Sequence, residues 1–346
     1  MTFPKLLATI AIVLFGIIGI AIFFKEDKYP GIPIEATVLA PLEIELDKEI
    51  RMASPVEPIA KQEMTNTSLS KVEIATSKFM LRPNEPLLEV DRIGQLFSKT
   101  GPNLPIVETI TYKSRVDWQK GRPVWLSDYA THYATSKHFI ARSLNGNKDY
   151  FKQDLAEGDR FNVLRPGKKI NFYLLIDTSR SKMWFYYIDL GTNERVLLKT
   201  YTVGLGRFDS SKASGMLTPL GKYSLGSKIA IYKPKMMGFY NGTKTEMIRV
   251  FGSRWLPFEK ELGPSTVPAA GFGIHGVPWI LGAKGELVEN LDSLGKYESD
   301  GCVRLSTNDI EELFAIIITR LTIVELVKDY HEAKLPGVER EVLVEQ

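Results

Sequence analysis

Short strand-forming runs separated by Gly and Pro turns fill the chain between residues 168 and 327. Residues 170–176 and 182–187 are rich in β-branched and aromatic side chains, and they flank a polar turn at 177–180, which is typical of a hairpin. Similar runs follow at 196–203, 218–225, 271–275 and 322–327, whereas Ser306 is placed to cap a helix over residues 307–318. This pattern predicts a mainly β domain with a short helix near its end.

The N-terminus carries a different signal. Residues 6–24 form a run of 19 residues in which Thr9 is the only one that is neither apolar nor Gly. As a helix this run would span roughly 28 Å, close to the thickness of a bilayer core. Lys5 precedes it, so the positive-inside rule predicts a single-pass anchor in the cytoplasmic (inner) membrane with the rest of the chain extracytoplasmic. A cleaved signal peptide is the alternative.

Between these parts lie a Pro-bearing, polar stretch and a compact pattern. Residues 29–100 are predicted to be a flexible tether. In residues 101–166, Ser127 and Ser136 are placed to cap two helices, and a strand at 161–164 completes a strand–helix–helix–strand α+β module. The formal net charge of the chain is only +3, which does not favour a nucleic-acid partner.

The chain contains one cysteine, Cys302, so an exported form could not make an internal disulfide. The thiol is therefore a buried bystander, a partner for another chain or a nucleophile. His275 is the natural general base for a nucleophilic thiol, and a carbonyl near Gly276 could orient its imidazole. Gly301 permits an unusual backbone conformation that could aim amides at an oxyanion, and Arg304 offers a fork suited to a carboxylate. One Cys and one His do not make a metal site, and no cofactor is predicted.

Four motifs carry a resemblance to a known family. The segment from 170 to 327 resembles the catalytic domain of the YkuD-type L,D-transpeptidases through TPLGKY (218–223), GIHG (273–276), SLGK (293–296) and SDGCVRL (299–305). The resemblance implies a β-sandwich-like fold in which Cys302 is the nucleophile, His275 the base and acid, and the Gly276 carbonyl the group that orients the histidine. It also implies that Ser299, Gly301 and Arg304 shape the acyl site and bind substrate.

The same resemblance implies a substrate and a reaction. The cysteine of such enzymes forms a thioester with a tetrapeptide stem of peptidoglycan, releases D-alanine and passes the acyl group to an amine, and carbapenems acylate it. An L,D-carboxypeptidase or endopeptidase that uses water, and a non-catalytic peptidoglycan-binding scaffold, are the alternatives. Two departures from the family are Asp300, where many members have histidine, and a longer segment after Gly276 that predicts an extra hairpin with Trp279 over the cleft.

The module at 101–166 resembles LysM, a small peptidoglycan-binding fold, although the Gly-Asp-Thr opening of that family is absent. It could bind glycan or only support the catalytic domain. The predicted organisation is thus an anchor at 1–28, a tether at 29–100, the LysM-like module at 101–166, the catalytic domain at 167–330 and a tail at 331–346. The predicted partners are peptidoglycan and, through residues 6–24, the membrane.

Overall fold

A computed structural model describes residues 87–150 and 155–340 of the chain. Its helices are α1 (Gly94–Phe97), α2 (Leu126–His132), α3 (Lys137–Asn145), α4 (Ile248–Phe251) and α5 (Thr307–Ile317), with 3-10 turns at Leu291–Ser293 and Tyr330–Glu332. The strands are β1 (Val107–Thr111), β2 (Arg160–Leu164), β3 (Ile170–Asp177), β4 (Lys182–Asp189), β5 (Glu194–Thr202), β6 (Leu205–Gly206), β7 (Gly221–Leu225), β8 (Ala230–Ile231), β9 (Met237–Tyr240), β10 (Thr243–Glu246), β11 (Arg254–Glu261), β12 (Gly273–Gly276), β13 (Trp279–Leu281), β14 (Leu287–Glu289), β15 (Tyr297–Ser299), β16 (Val303–Leu305), β17 (Thr322–Val327) and β18 (Val338–Glu339).

One mixed sheet of ten strands dominates the described residues. Its order is β16-β12-β11-β7-β17-β3-β4-β5-β18, with β8 paired to β11. The predicted hairpin of β3 and β4 is confirmed, and the Asp177 carboxylate stabilises its turn by accepting from the Ser179 and Arg180 amides at 2.8 and 3.0 Å. The mainly β class predicted from the sequence is therefore confirmed.

Both faces of the central strands are buried. Along β3, Phe172, Leu174 and Ile176 enter one apolar core. Tyr173 and Leu175 enter a second core on the other face. Because side chains alternate between the faces of a strand, a run with almost no polar residue marks a strand covered on both sides.

Residues 107–150 and 155–164 contain the predicted order of strand, helix, helix and strand. β1 and β2 pair antiparallel, and Ser136 caps α3 by accepting from the His138 amide at 3.1 Å. Gly146 ends that helix in the left-handed conformation at φ 77°, which glycine adopts without strain. The predicted cap at Ser127 is wrong: α2 begins at Leu126, because the Asp128 carboxylate accepts from the Trp125 amide at 2.8 Å.

A buried ionic cluster joins this module to the sheet. Arg254 of β11 is 1% exposed and pairs with Asp149, which follows α3, and more distantly with Glu311 of α5 at 3.7 Å. Burial raises the pKa of Asp149, but His138 and Arg254 outweigh it and lower that pKa to about 2. A buried cation of this kind requires its partners, so the cluster fixes β11 against the module.

The described parts of the predicted tether and of the predicted tail both contact the sheet. Residues 87–97, within the predicted tether, contact the sheet: the Leu88 carbonyl accepts from Trp184 Nε1 at 3.1 Å, and the Arg92 amide donates to the Leu198 carbonyl at 2.8 Å. The tail includes β18, which pairs with β5.

The predicted membrane location is contradicted. The segment 6–24 itself lies outside the described residues. Within 87–150 and 155–340, no helix is long and apolar enough to cross a membrane. The 11 residues of α5 reach about 16 Å, roughly half of a bilayer core.

Candidate active site

Two short parallel strands bring Cys302 and His275 to the same edge of the sheet. β12 and β16 pair with His275 opposite Arg304, and Cys302 directly precedes β16. Side chains two residues apart lie on one face of a strand, so Cys302 and Arg304 share the face of His275. The register thus brings these three residues to neighbouring positions on two paired strands.

His275 has a defined tautomer. Its Nδ1 lies 2.7 Å from the Gly276 carbonyl oxygen, which can only accept, so Nδ1 carries the hydrogen and Nε2 keeps the lone pair. The ring is 3% exposed and packs edge-on against Phe251, with ring centroids 5.4 Å apart. The structure thus gives the Gly276 carbonyl the orienting contact that the family resemblance implies.

Burial determines the charge state of His275. Desolvation is the main cause, and the neighbouring Arg304 cation adds to it, so the pKa of His275 is lowered to about 3. The carbonyls of Gly276 and Phe251 oppose the shift only in part. At neutral pH the imidazole is therefore neutral and able to accept a proton.

The Cys302 thiol is half-buried, with its Sγ 3.8 Å from the Gly271 carbonyl oxygen. Desolvation raises the pKa of Cys302 to about 12, against the opposing effects of the Gly273 amide and Arg304. Asp300 raises it further, as the sequence predicts, but as the smallest contribution. At rest, the thiol of Cys302 and the imidazole of His275 are therefore both neutral.

Ser299 and Gly301 hold the turn that presents the cysteine. The Ser299 hydroxyl donates to the Cys302 carbonyl at 2.7 Å and accepts from the Gly301 amide at 3.1 Å. Ser299 is 1% exposed, so its hydroxyl is committed to this turn. Of the amides of Gly301 and Cys302, that of Gly301 therefore donates to Ser299, and the Cys302 amide is the candidate donor to an oxyanion.

Gly301 is required by its surroundings. It adopts φ 119°, and a Cβ there would lie 2.6 Å from Phe272 Cε1 and 2.8 Å from the Leu217 carbonyl oxygen. Both the backbone conformation and the lack of space exclude larger residues.

Arg304 and Asp300 set the charge around the thiol. The Arg304 side chain is half-buried, and its Nε has no hydrogen-bond partner among the described residues. Asp300 forms an exposed ion pair with Arg207 at 2.7 Å. Arg207 thus balances the negative charge of Asp300 next to the cysteine. The sequence analysis did not identify Arg207 as the partner of Asp300.

Two hairpins flank this edge. The predicted extra hairpin is confirmed as β13 and β14, but Trp279 donates through Nε1 to Thr307 Oγ1 at 3.2 Å, which ties it to the start of α5. The hairpin of β9 and β10 was not predicted, although Asn241-Gly242, with φ 50° and 74°, is the sequence signal of such a turn. Burial raises the pKa of Tyr240 in this hairpin. The charges of Asp300 and Cys302 raise it further, whereas that of Arg304 lowers it.

Within the described part of the chain, no three His, Cys, Asp or Glu side chains are grouped so that they could bind a metal ion. The arrangement instead offers a thiol, a neutral base with a fixed tautomer and a nearby cation. These groups together can perform nucleophilic attack on a carbonyl.

Comparison with known proteins gives a family match over the sheet. Residues 171–326 match the family model YkuD, L,D-transpeptidase catalytic domain. Among solved structures, Bd1075 of Bdellovibrio bacteriovorus has 15% identity and a TM-score of 0.31, covering 46% of this chain and 48% of that chain. The helical cell shape determining protein Pgp2 from Campylobacter jejuni has 17% identity and a TM-score of 0.31, covering 49% and 51%. The chain spans about half the length of these structures. No curated protein matches.

Proposed function

Because residues 171–326 match the family model of the YkuD-type L,D-transpeptidase catalytic domain, we propose that this chain transfers acyl groups of peptidoglycan stem peptides through Cys302. The observation that supports the proposal is the parallel pairing of β12 and β16, which brings His275, with its Nδ1 held by the Gly276 carbonyl, to the same edge of the sheet as Cys302. A family domain with this pair intact favours an enzyme over a scaffold that only binds.

The neutral resting pair defines the first step. His275 Nε2 takes the thiol proton as Sγ attacks the carbonyl carbon next to the terminal D-alanine of a tetrapeptide stem. The C–N bond to D-alanine then breaks, and the same proton passes from His275 to the leaving amine. The product is a thioester on Cys302 and free D-alanine.

The second step regenerates the enzyme. An amine of another stem attacks the thioester carbon, a new amide forms and Sγ recovers its proton through His275. Arg304, a half-buried cation with an unpaired Nε, would bind a carboxylate of the donor stem. Water in place of the amine would give the carboxypeptidase reaction from the same thioester.

The module at residues 101–166 has a supporting role in this proposal. Its strand–helix–helix–strand order agrees with a LysM-like module that contacts peptidoglycan. The buried cluster of Arg254 and Asp149 would hold such a module in a fixed position relative to the strands that carry the site.

Product analysis tests the reaction. The full chain is incubated with purified tetrapeptide muropeptides, and the products are separated and weighed by mass spectrometry. Cross-linked dimers support transfer, whereas tripeptides alone support hydrolysis. The variant His275→Gln, which retains volume but lacks the base, should be slower by about 10²–10⁴-fold.

Two controls make the result decisive. Cys302→Ala should form neither product, and a carbapenem should add its mass to the wild-type chain at Cys302 only. A folded wild-type chain that gives no product and no carbapenem adduct would leave the binding scaffold as the better description.

A further inference from the structure

A groove lies apart from the residues proposed for catalysis. This groove, of about 560 Å³, is formed where the end of α2 meets the beginning of β3 and the end of β4. Its walls include His132, Tyr133, Lys169, Leu190 and Arg320. No role in the proposed chemistry uses these residues.

Two cations of the groove, Arg320 and Lys169, form no ion pair among the described residues. Arg320 is half-buried, burial lowers its pKa, and its Nε has no hydrogen-bond partner among the described residues. No carboxylate in the part of the chain that the structure describes forms an ion pair with it, whereas nearby Lys168 is neutralised by Asp189. Lys169, which is exposed, adds a second cation. The Arg320 guanidinium is partly desolvated and its Nε is unpaired, which favours the binding of an external anion.

The other side of the groove is a rigid aromatic surface. The His132 ring is stacked on Trp118, with centroids 4.2 Å apart and planes within 7°. Tyr133 is parallel to Tyr129 within 3°. Leu190 is 53% exposed beside them. Flat aromatic faces next to a cationic fork suit a sugar ring that bears, or lies next to, an anionic group.

The groove and the cysteine are separate places on the chain. Neither Cys302 nor His275 is among the residues that line the groove. Arg320 follows the end of α5 by three residues, whereas Cys302 precedes the start of that helix, which spans about 16 Å. A polymer that carries several stem peptides can contact both places.

We propose that this groove binds a carboxylate-bearing segment of the peptidoglycan polymer, with Arg320 and Lys169 pairing with the carboxylate and Tyr133 packing on the sugar. The inference rests on the proposed function, because it takes the same polymer as the substrate. The groove then acts as a secondary binding site that retains the polymer while its stem peptides reach Cys302.

Sedimentation with purified sacculi tests this inference. The parent is the full chain with Cys302→Ala, which cannot turn over the substrate. The double variant carries Arg320→Gln and Lys169→Gln in addition. Lys260→Gln, which removes an exposed cation from β11, is the matched control. The proposal predicts at least about tenfold weaker binding for the double variant, the size expected for lost charge-assisted contacts, and unchanged binding for the control. Equal binding in all three, or an equal loss in the control, would overturn it.

Treated sacculi identify the anion. Conversion of the carboxylates of the sacculi to neutral amides, by carbodiimide coupling with methylamine, should weaken binding of the parent chain and erase the difference between it and the double variant. Removal of phosphodiester-linked polymers with hydrofluoric acid should leave that difference in place; if it disappears instead, the anion is phosphate and the carboxylate assignment is wrong. Melting temperatures establish that the variants fold, and Lys169→Gln alone, at an exposed position, should still weaken binding.

Failure of this inference is distinguishable from failure of the proposed function. Carbapenem adduct formation at Cys302 does not depend on the groove, so Arg320→Gln should react at the wild-type rate. A chain that forms the adduct but binds sacculi independently of the groove would refute only the groove.

Discussion

Replacing Gly301 by Ala should destabilise the chain through the turn that presents the cysteine. The added Cβ would lie 2.6 Å from Phe272 Cε1 and 2.8 Å from the Leu217 carbonyl oxygen, and φ 119° is unfavourable for alanine. Backbone strain of this kind costs about 1–3 kcal/mol and overpacking costs about 1–3 kcal/mol more. The combined loss is about 4 kcal/mol, which for a folded domain of roughly 150–250 residues lowers Tm by roughly 8–16 °C.

Gly285→Ala provides the matched control. Gly285 also has a positive φ, 81°, but no atom lies within 4 Å of its added Cβ. Only the backbone strain of the positive φ remains, so we expect the free energy of unfolding to fall by about 1 kcal/mol and Tm to fall by roughly 2–4 °C. The difference between the two variants isolates the close packing around Gly301.

Thermal unfolding followed by circular dichroism measures both shifts, and carbapenem acylation measures whether Cys302 is still presented correctly. Gly301→Ala should lose acylation at temperatures where it remains folded, whereas Gly285→Ala should retain it. Equal Tm decreases, or normal acylation of folded Gly301→Ala, would refute the claim that this turn is sterically fixed.

Three further predictions concern charge. Since burial raises the pKa of Cys302 to about 12, alkylation by iodoacetamide should accelerate about tenfold per pH unit from pH 7 to pH 10; a plateau below pH 9 would contradict a neutral resting thiol. The pKa of His275 is about 3 in the folded state and 6.5 in the unfolded state, so the unfolded chain binds the proton first and the free energy of unfolding falls as pH drops below 6.5. Between pH 6.5 and pH 4, urea unfolding should show the wild-type chain losing about 3 kcal/mol more than His275→Asn. Parallel pH profiles of the two chains would contradict this direction. Asp149→Asn leaves the buried Arg254 short of a counterion and should cost about 3 kcal/mol in the same assay, an effect that an unchanged urea midpoint would exclude.

Local signals in the sequence predicted much of the fold. The caps at Ser136 and Ser306 and the left-handed Gly146 are one-residue signals, and the structure has them where the sequence places them. Burial on both faces explains why β3 reads as a continuous apolar run. The turn Asn241-Gly242 carried an equally clear signal, and the β9–β10 hairpin could have been predicted from it.

Local sequence signals did not predict the contacts between segments that lie far apart in the chain. Motif resemblance grouped Cys302 with His275, but the parallel register of β12 and β16 and the engagement of the Gly301 amide by Ser299 depend on tertiary packing. The pairing of Arg254 with Asp149 joins residues 105 positions apart, and no periodicity reveals it. The Ser127 cap was wrong because Asp128 competes for the same helix start.

The most direct test of acyl transfer through Cys302 is the intact mass of the chain after brief incubation with a tetrapeptide muropeptide. The predicted result is a mass increase equal to the donor minus D-alanine, located by digestion to the peptide containing Cys302, with D-alanine released in equal amount. Cys302→Ala should show neither the added mass nor the release. Release of D-alanine by folded Cys302→Ala, or a folded wild-type chain that never acquires the added mass, would contradict the proposed chemistry.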